Sequence, residues 1–229
     1  MSKQLPFSGG ILTGGLARRF QTAGAAAIDK GLLDLAGLPL VAHMALKLKP
    51  YTALALLISA NRHQAVYQRY GEVVADPADL AGYQGPLAGV LAMLGVMSTD
   101  WLLVLPVDSP FLPAALIDAL WQAQLEQPAQ RIFYVQHERA YPLCMLVHQE
   151  TAPALAAYLH AGQRRVQSWL AAQGAVAVDL RHYAAEAFFN INTPADLQQA
   201  HYLLKAPMPK VVIGDDITVA NSGVSGYTR

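Results

Sequence analysis

The sequence has a single cysteine, Cys144, so no intramolecular disulfide can staple it, and a reducing compartment fits. It also lacks a surplus of charge of either sign, since sixteen acidic residues balance sixteen basic ones. A general nucleic-acid binder needs excess cations to neutralise phosphates, so that class is excluded. A small anionic substrate is not excluded, because a pocket needs only a few well-placed cations. No apolar run approaches the roughly 18 residues that span a bilayer, and residues 1–6 carry no signal-like apolar stretch. The seven histidines are scattered without metal-ligand spacing. There is no internal repeat and no low-complexity linker. These absences predict a cytoplasmic protein that engages neither nucleic acid nor membranes.

What is present is apolar. Hydrophobic residues make up 54% of the 229, enough for one well-buried domain. Short apolar runs at 10–13, 53–59, 72–75 and 101–107 read as strands. Leu40, Met44 and Leu48 recur every four residues, so 40–48 reads as an amphipathic helix. Helices are also expected at 86–97, where Pro86 suits a first turn, and at 113–126. Alternation of this kind predicts an α/β fold of three layers, a mainly parallel sheet with helices on both faces. In the second half, strands are expected at 131–135, 143–147, 176–179 and 187–191, with helices at 152–160 and 165–172. Thr193-Pro194-Ala195-Asp196 is a helix start, with a hydroxyl cap, an early proline and a carboxylate three residues on. That helix runs to about residue 205, which bounds one domain over 1–205 and leaves 206–229 as a tail able to form a small hairpin or a loose strand.

Three groups of residues carry chemistry. Leu12-Thr13-Gly14-Gly15 follows the first strand, with Arg18 and Arg19 next and Asp29-Lys30-Gly31 later. Glycines after a strand let backbone N–H groups approach phosphates, and Arg19 and Lys30 add positive charge. A dinucleotide fingerprint is excluded because no two glycines are separated by one residue, and a Walker loop because Gly15 or Leu16 stands where lysine is needed. The alternative is a tight turn with solvated basic residues. Asp108 closes the strand at 101–107, where open α/β sheets bind ligands and where a carboxylate suits magnesium on a triphosphate. The alternative there is a helix cap or turn residue. Asn61 and Asp76 follow two other strands on the same sheet edge. They either read the edge of a base or serve as ordinary turn residues. Cys144 lies in an apolar strand and is read as core, not nucleophile.

Taken together, Leu12-Thr13-Gly14-Gly15…Arg18-Arg19…Asp29-Lys30-Gly31, Ala60-Asn61-Arg62-His63, Gly85-Pro86-Leu87-Ala88-Gly89, Pro106-Val107-Asp108-Ser109-Pro110 and Asn190-Ile191-Asn192-Thr193-Pro194 resemble, in order, the blocks of the molybdenum cofactor guanylyltransferases. The resemblance covers about residues 8–205. It implies a nucleotide-diphospho-sugar transferase-like fold and transfer of GMP from GTP to the terminal phosphate of molybdopterin. It further implies that Leu12, Thr13, Gly14, Gly15, Lys30, Asn61, Asp76 and Asp108 contact GTP, and that Asp108 holds Mg2+. Lys30 and Arg19 would offset leaving-group charge, and Gly85, Asn190 and Asn192 would lie on the molybdopterin side of the cleft. Other expectations are a monomer, served by proteins that supply the cofactor or mature molybdoenzymes. Competing readings are a cytidylyltransferase or sugar-phosphate nucleotidyltransferase of the same fold, and a silent nucleotide-binding module. Two departures stand out: Thr13 occupies a position where the family usually has alanine, and 20–28 is longer than the family's segment.

Overall fold

The structure, a computed structural model, describes residues 5–14, 20, 29–52, 56–80 and 85–205. Its centre is a seven-stranded sheet whose order is β5-β4-β1-β6-β8-β7-β9. The strands are β1 (Phe7–Leu12), β4 (Leu56–Ser59), β5 (Glu72–Val74), β6 (Trp101–Pro106), β7 (Ile132–Gln136), β8 (Ala140–His148) and β9 (Val176–Asp179). A two-stranded hairpin of β2 (Asp34–Leu35) and β3 (Leu38–Pro39) stands apart from it. In the main sheet β8 alone runs against the others, antiparallel to both β6 and β7. The sheet is therefore mainly parallel, as expected.

The apolar run of β6 illustrates how the layers arise. A strand points alternate side chains to opposite faces, so a continuous run is buried only if both faces are covered. Trp101, Leu103 and Leu105 pack with α1 (Leu40–Leu48) and α4 (Ala115–Glu126). Leu102 and Val104 pack on the opposite face with α3 (Pro86–Val96), α5 (Ala152–His160) and α6 (Val166–Ala172). The last helix, α7 (Pro194–Lys205), joins the first layer through Ala200. Its start satisfies the capping box: the Thr193 hydroxyl accepts the Asp196 N–H at 3.1 Å, and the Asp196 carboxylate accepts the Thr193 N–H at 2.8 Å. Among the described residues no helix is long and apolar enough to cross a membrane.

Three expectations are corrected. Residues 187–191 form no strand; Ala185–Phe188 is a single 3-10 turn followed by extended chain. Its apolar residues are buried by packing, not by pairing, because Phe188 and Ile191 insert into the core and the Ile191 N–H goes to the Asp108 carbonyl. A short helix, α2 (Gln64–Tyr67), separates β4 from β5, two strands expected to be consecutive. The polar connection expected at 136–140 is shorter, 137–139 alone, because Gln136 and Ala140 at its two ends pair with each other in the ladder, which has a register shift at Tyr134/Val135. The tail at 206–229, and the first half of the strand expected at 53–59, lie outside the described residues.

Candidate active site

Strand register brings the candidate residues together. Leu12 at the end of β1 is level with Ser59 of β4 and Pro106 of β6, and Ser59 is level with Val74 of β5. Four parallel strands thus end in line, so Thr13, Asn61, Asp76 and Asp108 emerge at one edge. The connection from β1 goes to one side and later returns to the other, which makes the β1–β6 boundary a topological switch point. Crevices for ligands open there.

At this boundary Lys30 joins the two halves of the chain. Its Nζ donates to Asp108 Oδ2 at 3.0 Å and to Asn192 Oδ1 at 2.8 Å. Both members of the ion pair are mostly buried, with side-chain exposures of 16% for Lys30 and 20% for Asp108. The second oxygen of Asp108 receives the Ser109 hydroxyl at 3.3 Å, and the same hydroxyl reaches Asn190 Oδ1 at 2.9 Å. Asn192 is held from behind, its N–H donating to Asp196 Oδ2 at 2.8 Å. Asp108, Lys30, Asn190 and Asn192 therefore form one connected cluster from residues up to 162 positions apart.

The glycine turn is open where a ligand would need it. A Cβ built on Gly14 meets nothing within 4 Å. Leu12 is buried, ending β1. The Thr13 hydroxyl, expected near the base or phosphates, is 1% exposed and donates to the Ser59 carbonyl at 2.6 Å. Its N–H also reaches that carbonyl, because the chain leaving β1 stays paired with β4 for one more residue. That expectation for its side chain is corrected. Gly15 and Arg19 lie outside the described residues.

Asn61 and Asp76 find each other across the sheet edge. The Asn61 amide donates to Asp76 Oδ2 at 2.8 Å and accepts the Asp76 N–H at 2.8 Å. The pair lies at the exposed sheet edge, and its two hydrogen bonds use one N–H and one oxygen of the Asn61 amide and one oxygen of the Asp76 carboxylate. Gly85 opens α3 with φ 72° and ψ −174°, a conformation essentially reserved for glycine. Gly89, one turn on, would place a Cβ 2.2 Å from Ser59 Oγ, so α3 lies tight on the sheet. Among the described residues, Gly85 is not one of those hydrogen-bonded to the Lys30 cluster.

Residues that the sequence did not single out complete the surroundings. Ser109 links the Asp108 and Asn190 blocks; a hydroxyl beside a strand-end aspartate gave no signal of that partner. Asp29 is 6% exposed and accepts from Tyr67 Oη at 2.7 Å and from the Gly31 N–H at 3.3 Å. Arg62 pairs with its other oxygen at 3.5 Å. Burial first, and then the Asp29 hydrogen bond and charge, push the Tyr67 phenol up, so it stays protonated. Burial and then the Asp108 charge likewise raise the Cys144 thiol. A thiol kept protonated is inert, which agrees with its reading as core.

Among the described residues no three His, Cys, Asp or Glu side chains converge as metal ligands. The donor set at the cluster is one partly open carboxylate, Asp108, with amide oxygens alongside. A hard, oxygen-only set with a single carboxylate fits Mg2+ that is carried chiefly by substrate phosphates. It does not fit a site built to hold zinc.

Comparison with known proteins gives the family. The profile of the MobA-like NTP transferase domain matches residues 9–177. The chain is 40% identical over 194 residues to the molybdenum cofactor guanylyltransferase of Pasteurella multocida (strain Pm70), covering 85% of this chain and 98% of that protein. It is 39% identical over 193 residues to that of Serratia proteamaculans (strain 568), covering 82% and 91%. Among solved structures, the molybdopterin-guanine dinucleotide biosynthesis protein A of Archaeoglobus fulgidus superposes with a TM-score of 0.69 at 23% identity, over 86% of this chain and 98% of that one. The 2-C-methyl-D-erythritol 4-phosphate cytidylyltransferase of Thermus thermophilus superposes with a TM-score of 0.62 at 16% identity, over 86% and 98%, which extends the likeness of fold beyond guanylyl transfer. With the profile matching most of its length and relatives at this identity across nearly their whole length, the chain belongs to the MobA-like NTP transferase family, beside the molybdenum cofactor guanylyltransferases.

Proposed function

We propose that this protein transfers GMP from GTP to the terminal phosphate of molybdopterin, forming the guanine dinucleotide form of the cofactor and pyrophosphate. The observation that carries the reading is Lys30, mostly buried and bridging Asp108 and Asn192 at the strand-end edge where Gly14, with open space at its Cα, leaves β1. Transfer between two anions is opposed mainly by charge, so catalysis rests on positioning and electrostatic stabilisation. Gly14 gives the triphosphate close access to backbone N–H groups. Lys30 holds a positive charge where the pyrophosphate oxygens gain negative charge, with Arg19 as a second cation. The Asn61–Asp76 pair reads the guanine edge. Asn190 and Asn192, with Gly85, face the acceptor. Asp108 would hold Mg2+, which supplies charge neutralisation across the phosphate oxygens when bound. No general base is needed, because the attacking phosphate monoester is already largely ionised near neutral pH. The same reading makes residues 1–205 one catalytic domain, acting as a cytoplasmic monomer that receives molybdopterin from supplying proteins and passes product to molybdoenzyme maturation.

The test has two arms. Stabilisation against heating by GTP with Mg2+, and not by CTP, is expected; the reverse order would transfer the proposal to a cytidylyltransferase. Pyrophosphate release from GTP on adding molybdopterin is expected; binding without release would make the protein a silent nucleotide-binding module.

A further inference from the structure

Tyr67 ends α2 with none of its surface exposed. A buried ring at that place could be a phenylalanine as far as volume is concerned, so the hydroxyl calls for its own explanation. It donates to Asp29 Oδ1 at 2.7 Å, the oxygen that also accepts the Gly31 N–H at 3.3 Å. Gly31 fits under the ring without slack: a Cβ there would lie 2.5 Å from the phenol oxygen. Asp29 caps the one-turn helix Lys30–Leu32. The residue between the two that Tyr67 holds is Lys30, and its Nζ reaches Asp108 and Asn192.

Arg62 adds the second half of the device. It belongs to the loop that carries Asn61, and it grips the remaining Asp29 oxygen at 3.5 Å. The loop assigned to the base and the turn assigned to the phosphates thus share one buried carboxylate. We infer that Tyr67, acting through Asp29, is a positioning residue that fixes the origin of Lys30 against Asp108 and couples the base-side loop to the phosphate-side lysine. The inference rests on the reading of Lys30 as the cation facing the triphosphate. Displacement of a catalytic group by about 1 Å costs on the order of 100-fold in rate, so such an anchor has a measurable effect.

A double-mutant cycle decides it. Tyr67→Phe, Lys30→Ala and the double variant are compared in GTP affinity by calorimetry and in single-turnover pyrophosphate release with molybdopterin. Tyr67→Phe is expected to slow release about tenfold and weaken GTP about threefold, and to change either by less than about twofold once Lys30 is alanine. Effects that multiply in the double variant would overturn the inference, since a merely structural hydroxyl acts regardless of Lys30. Arg62→Gln, which loosens the same carboxylate from its exposed side, is expected to follow the same pattern and serves if Tyr67→Phe does not fold. If the wild-type protein binds GTP yet releases no pyrophosphate, the transfer reading alone fails, and the cycle on GTP affinity still decides the positioning role. If it does not bind GTP, both fall.

Discussion

Replacing Asp108 by asparagine keeps shape and removes only charge, which separates what the carboxylate does for the fold from what it does for chemistry. At 3.0 Å, its attraction to Lys30 is about 5–6 kcal/mol gross for an effective dielectric of 20. Taking both groups largely out of water offsets most of that, leaving a net of about 1 kcal/mol. Lys30 keeps the Asn192 oxygen, and the Ser109 hydroxyl keeps Asn190, but the mostly buried ammonium loses its counter-charge. A loss of about 3 kcal/mol, the low end of what removing one partner of a buried pair costs, or a melting temperature lower by about 6–12 °C, is therefore expected for a domain of this size. Turnover is another matter: with the charge gone, Mg2+ has no anionic protein ligand in the cluster, and a loss of at least 100-fold in pyrophosphate release is expected. Thermal melts and a pyrophosphate-release assay at saturating GTP and Mg2+ measure the two quantities side by side. Wild-type turnover in Asp108→Asn would refute the metal assignment. A collapse of the fold would instead refute the claim that the fold survives loss of this charge.

Other outcomes follow from the same geometry. Thr13→Ala removes a buried hydrogen bond to the Ser59 carbonyl and is expected to cost about 1 kcal/mol in urea unfolding while turnover stays within about twofold; a large kinetic loss would return that hydroxyl to the nucleotide. Gly85→Ala forces a side chain into a glycine-only conformation and is expected to cost about 1–3 kcal/mol. Gly95→Ala, with open space at the far end of the same helix, is expected to stabilise by about 0.5–1 kcal/mol; equal effects would contradict the backbone argument. Lys47, whose ammonium donates to the Leu112 carbonyl, is lowered to about 8 by burial. Between about pH 8 and its ordinary value of 10.5, the unfolded chain holds a proton that the folded one has lost, so stability gains with rising pH. The stability of wild type relative to Lys47→Met should therefore rise from pH 8 to 10; a flat difference would mean the lysine is not desolvated.

Periodicity made much of the fold legible. The four-residue repeat of Leu40, Met44 and Leu48 predicted α1, and the apolar run at 101–107 predicted a buried strand. Where such signals failed, the competing force was tertiary. Phe188 and Ile191 look strand-like because they are apolar, yet they pack into the core from outside the ladder, where the Ile191 N–H bonds to the Asp108 carbonyl and holds Asn190 and Asn192 nearby. Thr13 looked like a nucleotide contact by position, but one further residue of pairing with β4 turned its hydroxyl inward. The antiparallel course of β8 against β7 was marked by a connection too short for a parallel crossover, but its insertion between β6 and β7 was not, since that depends on which neighbour a strand meets.

The sequence by itself determined the residue types at the strand ends, and with them the family: glycines after the first strand, one aspartate after the buried one, paired asparagines before the last helix. Those are local choices of backbone freedom and charge, written where they act. Only the tertiary structure decided that Lys30 lies 2.8 Å from Asn192, that Ser109 joins Asp108 to Asn190, and that a phenol at 67 holds the turn on either side of Lys30. Such contacts depend on strand order and register, which arise from the packing of the whole core and are encoded in no single segment.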